Sequence, residues 1–542
     1  MEARASNQRV GWAIDAAVSA KVGIWRAALI TVVGFTALLI LLVLIDTLSK
    51  TSGQFSFSLD DPYIHFAMAE GILAGGYGLN PGEAAAASSS IAFPVIVAGV
   101  ISVGAGPLGV LFLNIAATLA SAGLAVAVWK EAGFPVRAGS WRRLALVAGV
   151  LVLGGNLVGL AFMGMEHSLH VALTLAALLG AVRFATHDRV ERWWIACLIA
   201  EPLIRYEGLA VALAGAAMLF WRKRWALSGA VIAGAAASPI AFGFYLSSLG
   251  LSFLPSSVLA KGGHVSEATD LLEALLAFAG NFFGNAGDHA GLLLSAFAIA
   301  LLWVAARRSA SVSKVGEGGR GRLVALFAGI IVLGHLVCGK FGWGQRYEAY
   351  AFFTALVAMP IVFRTRAENF LVGRDGAGVA FVALLAVLAV EPSVTATFES
   401  GEGSRNISLQ QRQMRRLAVD HIRGPVAVND LGWVAYRNPN YVLDLWGLGS
   451  EEARRLRGSD PAWMDQLATR KGVKLVMIYE EAFPSLPSEW VRLGHLTFRG
   501  PLVSALKRDV TFYATRPEYA PEVIAAIAAW SIDLPPRASF MF

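Results

Sequence analysis

Two adjacent carboxylates, Asp60 and Asp61, follow the first long apolar run of the chain, in the segment Leu59-Asp60-Asp61-Pro62-Tyr63-Ile64-His65-Phe66. Ionised carboxylates at a membrane surface cost desolvation energy unless they bind something or do chemistry. In the first outer loop of a polytopic protein, such a pair suits work on a substrate carried by a lipid at the membrane face. Group transfer from a phospholipid-type donor needs a carboxylate to take the proton of the acceptor hydroxyl. It also needs cations to hold the departing phosphate. Asp60 or Asp61 can supply the first. Arg205, Lys261 and Arg346, which all map near the outer face, can supply the second. Each cation also has a plainer reading. Arg205 can pair with Glu207, Lys261 can be an ordinary loop lysine, and Arg346 can anchor at the interface beside Tyr347 and Trp343.

The residues around the pair suggest how it is positioned. Asp61 reads as an N-cap and Pro62 as a first helical position, opening a short helix that lies on the membrane. Ile64, Met68 and Ile72 recur every four residues and are expected to face lipid, while Asp61 and His65 share another face. Asp61 then has a capping duty and Asp60 has none, so Asp60 is the expected main catalytic carboxylate. Asn80-Pro81-Gly82-Glu83 supplies a turn, and Ser88-Ser89-Ser90 supplies hydroxyls before the chain re-enters apolar sequence. Glu166-His167 opens another helix, where the dipole favours a carboxylate; a contact to a sugar hydroxyl is the alternative. Asp61, His65, Glu166 and His167 are of types that bind divalent cations, but their spacing does not demand a metal and none is expected. His264, His289 and His335 are scattered and receive no role.

Composition sets the frame for these residues. Apolar residues make up 56% of the 542 positions and charged residues 15%, far from the balance of a soluble protein. Residues 27–48 alone span a bilayer core, and the apolar runs together suggest about 10–11 transmembrane helices. The net charge of +7 sits in short loops between those runs and follows the positive-inside rule, so no nucleic-acid partner is implied. Cys197 and Cys338 fall inside apolar runs and read as buried small hydrophobes. With basic residues ahead of an uncleaved anchor, the N-terminus is placed inside.

Loop charges then walk the topology. Residues 49–90 are outside and the loop holding Lys130, Arg137, Arg142 and Arg143 is inside, so 91–129 combines a re-entrant or interfacial piece with one full crossing. Residues 143–163 exit and 168–185 return. The 28 residues before Trp221-Arg222-Lys223-Arg224 are too few for two full helices and suit two short segments meeting at Arg205-Tyr206-Glu207-Gly208. Residues 226–248 exit to a second outer loop at 249–289. Spans at 290–306, 323–339, 348–363 and about 377–391 leave the rest outside. That gives a transmembrane domain over 1–391 and a soluble periplasmic α/β domain over 392–542. In the tail, strands are expected at 425–429, 473–479 and 510–514, with helices at 408–423, 460–471 and 520–530. Trp433 and Trp446 are expected to be exposed and able to stack on sugar rings.

The acidic outer loop, the Gly-Tyr-Gly-Leu-Asn-Pro-Gly-Glu stretch and the Ser-rich re-entry resemble the GT-C glycosyltransferases. Gly164-Met165-Glu166-His167, Leu203-Ile204-Arg205-Tyr206-Glu207-Gly208, and Leu254-Pro255-Ser256-Ser257 followed by Lys261 extend the likeness over about residues 25–391. Among these enzymes the chain is most similar to mycobacterial-type arabinofuranosyltransferases. Pro62 and Tyr206 depart from the commonest forms and leave the sugar open. The resemblance implies a GT-C-like fold and a polyprenyl-phosphate sugar donor, with no required cofactor. It also implies a cell-envelope glycan or glycolipid acceptor, while the loop charges and the bacterial character of the sequence place the active site on the periplasmic face of the inner membrane. His65, Glu83, Glu166, His167, Glu207 and Tyr347 are the candidate substrate-binding residues beside the catalytic and phosphate-binding ones. The rival reading is a transporter or flippase of a lipid-linked sugar, which broken helices with Arg and Glu at their tip would also suit.

Overall fold

A computed structural model describes residues 2–134, 141–262, 271–307, 317–372, 376, 392–457 and 462–542. Among these residues, five helices are long and apolar enough to cross a bilayer: Val22–Lys50, Gly106–Glu131, His167–His187, Trp225–Ser248 and Gly319–Cys338. Phe93–Ser102, Gly208–Trp221 and Ala349–Val362 are apolar but shorter, and Leu276–Gly287 meets Ala290–Ala306 at a bend of 107°. The protein is thus a helical membrane body carrying a C-terminal α/β domain. The span expected at about 377–391 lies outside the described residues, as does His264.

The breaks between helices follow local chemistry. Phe93–Ser102 ends at Gly104 and Gly106, both with positive φ, and the full crossing Gly106–Glu131 starts there. The helices Arg192–Ile204 and Gly208–Trp221 meet at Arg205, whose backbone is extended. Gly208 is obligatory at that turn because any side chain on it would strike the backbone of Glu201. The exit expected over 143–163 is split into Trp141–Gly154 and Leu157–Met163 at Asn156, which is left-handed with φ 51°. The second outer loop is not simply loop: it contains the Leu271–Gly287 helix. Cys338 is exposed rather than buried, and Cys197 is partly so.

The C-terminal domain is a six-stranded mixed sheet in the order β2-β1-β3-β5-β4-β6. The strands are β1 (Val426–Val428), β2 (Val442–Asp444), β3 (Leu475–Ile478), β4 (Val491–Phe498), β5 (Val510–Ala514) and β6 (Ala538–Met541). β1 pairs in parallel with β2 and β3, and the remaining pairs are antiparallel. Helices Gln411–Arg416, Trp463–Arg470 and Ala520–Ser531 flank it, with Leu417–Ile422 wound as a π-helix. Residues 392–409 bridge the two parts. Ser393 and Thr397 donate to Gly154 O and Asn156 Oδ1 of the membrane body, and Asn406 donates to Pro501 O of the sheet domain.

This domain sits directly on the first outer loop. Ile64 and Met68 of the Asp61–Leu73 helix share one apolar core with Val426, Val428, Leu475 and Met477 of the sheet, and Ile72 packs against it. The expected lipid-facing stripe therefore faces protein. Its four-residue period is real, but the sheet covers it in place of the bilayer.

Candidate functional site

Asp60 and Asp61 are neighbours with different environments. The N-cap position of the Asp61–Leu73 helix belongs to Asp60, not Asp61, and the Asp60 side chain makes no capping bond to its own helix. It turns instead to the C-terminal domain, where it accepts from Gly432 N at 2.7 Å and Trp433 N at 2.8 Å. It is 5% exposed. Burial, and then the charge of Asp430, push its carboxyl well above the usual carboxylate range, against the pull of the two amides. Asp430 is also raised by burial; Gln411 Nε2 donates to it at 2.6 Å. The expectation that Asp60 lacks a structural duty is corrected here: it latches the first outer loop to the sheet domain.

Asp61, the first residue of the helix, keeps 36% of its side chain exposed. Arg346 Nη2 donates to Asp61 Oδ2 at 2.5 Å and to the Tyr347 hydroxyl at 2.9 Å. Arg346 is 4% exposed, and its Nε and Nη1 atoms are buried with no hydrogen-bond partner. Such orphaned donors are costly. The turn that presents Arg346 is forced by Gly342, Trp343, Gly344 and Gln345, all with positive φ, and is pinned where Asn156 Nδ2 donates to Gly344 O at 2.6 Å.

A second cluster lies behind this pair and is almost wholly buried. Arg205 donates to Glu166 Oε1 at 2.5 Å and to Glu207 at 2.7 and 3.2 Å, and it lies 2.9 Å from His167 Nε2. Ser89 Oγ donates to Glu166 at 3.2 Å, and His65 Nε2 is 3.5 Å from the other Glu166 oxygen. Ser88 Oγ is 3.1 Å from His65 Nδ1. The Tyr347 ring connects the clusters: Arg205 and Arg346 lie 5.6 and 4.9 Å from its centroid, and His167 meets it edge-on at 5.8 Å. Burial works against the Glu207 charge, but Arg205 overcomes it and draws the carboxyl down to about 2. Burial likewise opposes the Arg205 charge, and Glu207 and Glu166 more than offset it, so the guanidinium stays charged. Three carboxylates thus face two guanidiniums across the combined network. Arg205 is held between two carboxylates, whereas Arg346 pairs with Asp61 and keeps two unused donors. Among the described residues, no three His, Cys, Asp or Glu side chains are grouped to hold a metal ion.

Eight of the predicted residues therefore come together: Asp61, His65, Glu166, His167, Arg205, Glu207, Arg346 and Tyr347. Asp60 and Glu83 do not join them. Glu83 accepts from Tyr441 OH at 2.6 Å and Lys471 Nζ at 2.8 Å, in a second tie between the first outer loop and the sheet domain. The side chains of Lys261 and His289 lie outside the described residues. Trp433 and Trp446 are half-buried rather than exposed. Trp433 stacks on Tyr63 with centroids 4.0 Å apart, and Arg457 covers Trp446 at 3.5 Å. Three residues were not singled out for this region: Gly432, whose amide holds Asp60; Asp430; and Glu348, buried beside Arg346. Asp and Gly in a run such as Asn429-Asp430-Leu431-Gly432 are ordinarily turn residues, and only the folded sheet brings these two to Asp60.

Residues 405–513 match Domain of unknown function (DUF8728). No curated protein matches the chain by sequence. Among solved structures, the chain is similar to the apo oligosaccharyltransferase of Archaeoglobus fulgidus, at 12% identity over 92% of this chain and 77% of that one, with a TM-score of 0.49. It is also similar to ArnT from Cupriavidus metallidurans bound to undecaprenyl phosphate, at 14% identity over 90% and 99%, with a TM-score of 0.43. A third is the arabinofuranosyltransferase AftD from Mycobacteria, at 14% identity over 89% of this chain and 40% of that one, with a TM-score of 0.39.

Proposed function

We propose that the protein is a membrane glycosyltransferase that moves a sugar from a polyprenyl-phosphate donor to a cell-envelope glycan or lipid at the outer face of the inner membrane. The sugar is a pentose such as arabinofuranose, or a hexose. The observation that carries this reading is the Asp61–Arg346 pair, in which a partly exposed carboxylate is held by a buried guanidinium with unused donors. In the proposed reaction the donor phosphate binds Arg346 through those donors and loosens its hold on Asp61. Asp61 then takes the proton of the acceptor hydroxyl as that oxygen bonds to the anomeric carbon. The bond from the anomeric carbon to the phosphate oxygen breaks, and polyprenyl phosphate leaves with its charge held by Arg346. Arg205, Glu166, His167 and His65 act as positioning residues that fix Tyr347 and the floor of the site. No dissociable cofactor is assigned a step, since the guanidiniums supply the positive charge. The preference between the two aspartates is reversed from the sequence reading because Asp60 is committed to backbone amides.

The test is incubation of the purified protein with a panel of synthetic polyprenyl-phosphate sugars and candidate acceptors, with free polyprenyl phosphate read by mass spectrometry. Release from one donor supports transfer and names its sugar. Intact donor moved across the bilayer without cleavage points to the flippase reading instead.

A further inference from the structure

The helices that carry the site end, on the opposite side of the membrane body, around a cavity of about 360 Å³ lined by Arg320, Arg322, Arg364 and Arg366. The Ala349–Val362 helix relates the two places. Arg346 and Tyr347 precede its first turn and Arg364 follows its last, so 14 residues, or about 20 Å, separate them. Loop charges assign that end to the inner face.

Helix capping explains part of this arginine cluster. Arg320 Nη1 donates to Ala132 O at 2.7 Å, Arg322 to Ala305 O at 3.2 and 3.3 Å, and Arg364 to Ala132 O and Gly133 O at 3.3 and 3.0 Å. Carbonyls satisfy donors but do not cancel charge. Arg364 also pairs with Glu368 at 2.6 Å. Arg320 Nε is buried with no partner, and the exposed guanidinium of Arg366 makes no hydrogen bond or ion pair among the described residues. Phe134, Val304 and Ile361 supply an apolar wall to the same cavity. A cavity in which Arg320 keeps a buried unused donor and Arg366 an unpaired charge among the described residues, beside an apolar wall at the membrane's inner surface, suits an amphiphile with an anionic head.

We propose that this cavity holds the phosphate of an anionic phospholipid of the inner leaflet, with the acyl chains along the Phe134, Val304 and Ile361 wall. Basic pockets between transmembrane helices on the cytoplasmic side take such headgroups. This assignment stands independently of the transfer reaction.

The full-length protein, purified in detergent with equal amounts of phosphatidylglycerol and phosphatidylcholine, tests it by native mass spectrometry. Phosphatidylglycerol should be retained preferentially, and Arg320→Gln and Arg366→Gln should each weaken that preference by about fivefold. The Arg366 side chain is exposed and has no partner among the described residues, so its variant isolates charge from folding. Millimolar inorganic phosphate should not displace the lipid. Equal retention of both lipids, a preference unchanged in both variants, or displacement by inorganic phosphate would each overturn the assignment.

Discussion

Removing the Asp60 carboxylate should open the joint between the first outer loop and the sheet domain, and the size of the effect follows from two hydrogen bonds. In Asp60→Ala, the amides of Gly432 and Trp433 lose their acceptor while remaining at a buried surface. An orphaned buried donor costs about 1–3 kcal/mol, so the two together cost about 2–6 kcal/mol. Relief of the repulsion with Asp430 and of the buried carboxyl offsets part of this, leaving about 1–4 kcal/mol. That corresponds to an opening population about 5- to 900-fold larger at 1.36 kcal/mol per tenfold. Hydrogen exchange of the 429–436 peptide reads this directly, because the two amides are themselves the reporters. Gly432→Ala should give a similar opening by a steric route, since a methyl there runs into the carbonyl oxygen and carboxylate of Asp60. Unchanged exchange over 429–436 in Asp60→Ala would refute the latch.

The other outcomes are as specific. Arg346→Lys keeps the charge but loses the guanidinium, whose Nη2 donates to Asp61 and Tyr347 and whose Nε and Nη1 are the two unused donors, so donor cleavage should fall about 10²-fold in a polyprenyl-phosphate release assay. Asp60 and Asp430 both have raised carboxyl pKa values, so the folded protein binds more protons than the unfolded chain above about pH 4. Their contribution to stability is therefore fully present below that pH and is lost as pH rises through the folded values. Thermal unfolding against pH should show this fall, and Asp430→Asn should flatten it. Glu207→Gln leaves Arg205 with Glu166 alone. With a fifth of the Glu207 side chain exposed, the loss should be near the lower end for a buried pair, about 3 kcal/mol, seen as a lower unfolding temperature.

What the sequence made legible, and what it hid, divides along physical lines. β1, β3 and β5 are buried at every position, so they appear in the sequence as continuous apolar runs. β2 is as short and as buried as β1 but ends in Asp444, so its apolar run breaks inside the strand, while β4 and β6 are partly exposed and lack such a run. The breaks at Gly104–Gly106 and Arg205–Gly208 were readable because glycine and clustered polar residues interrupt apolar sequence. The clustering of Arg205, Glu166, His167, Arg346 and Tyr347 followed from assigning their loops to one face. The division of labour between Asp60 and Asp61 did not, because it is set by amides more than 370 residues away in the chain. The amphipathic Ile64, Met68 and Ile72 stripe was correctly periodic, but periodicity does not say whether lipid or protein covers it.

The most direct measurement is the rate of polyprenyl phosphate release by purified Asp61→Asn protein, compared with wild type on the same donor and acceptor. The account predicts a loss of about 10²- to 10⁴-fold at a temperature where the variant remains folded, as expected for removal of a general base. Full transfer by Asp61→Asn, with the loss appearing instead in an Asp60→Asn protein that remains folded, would contradict it.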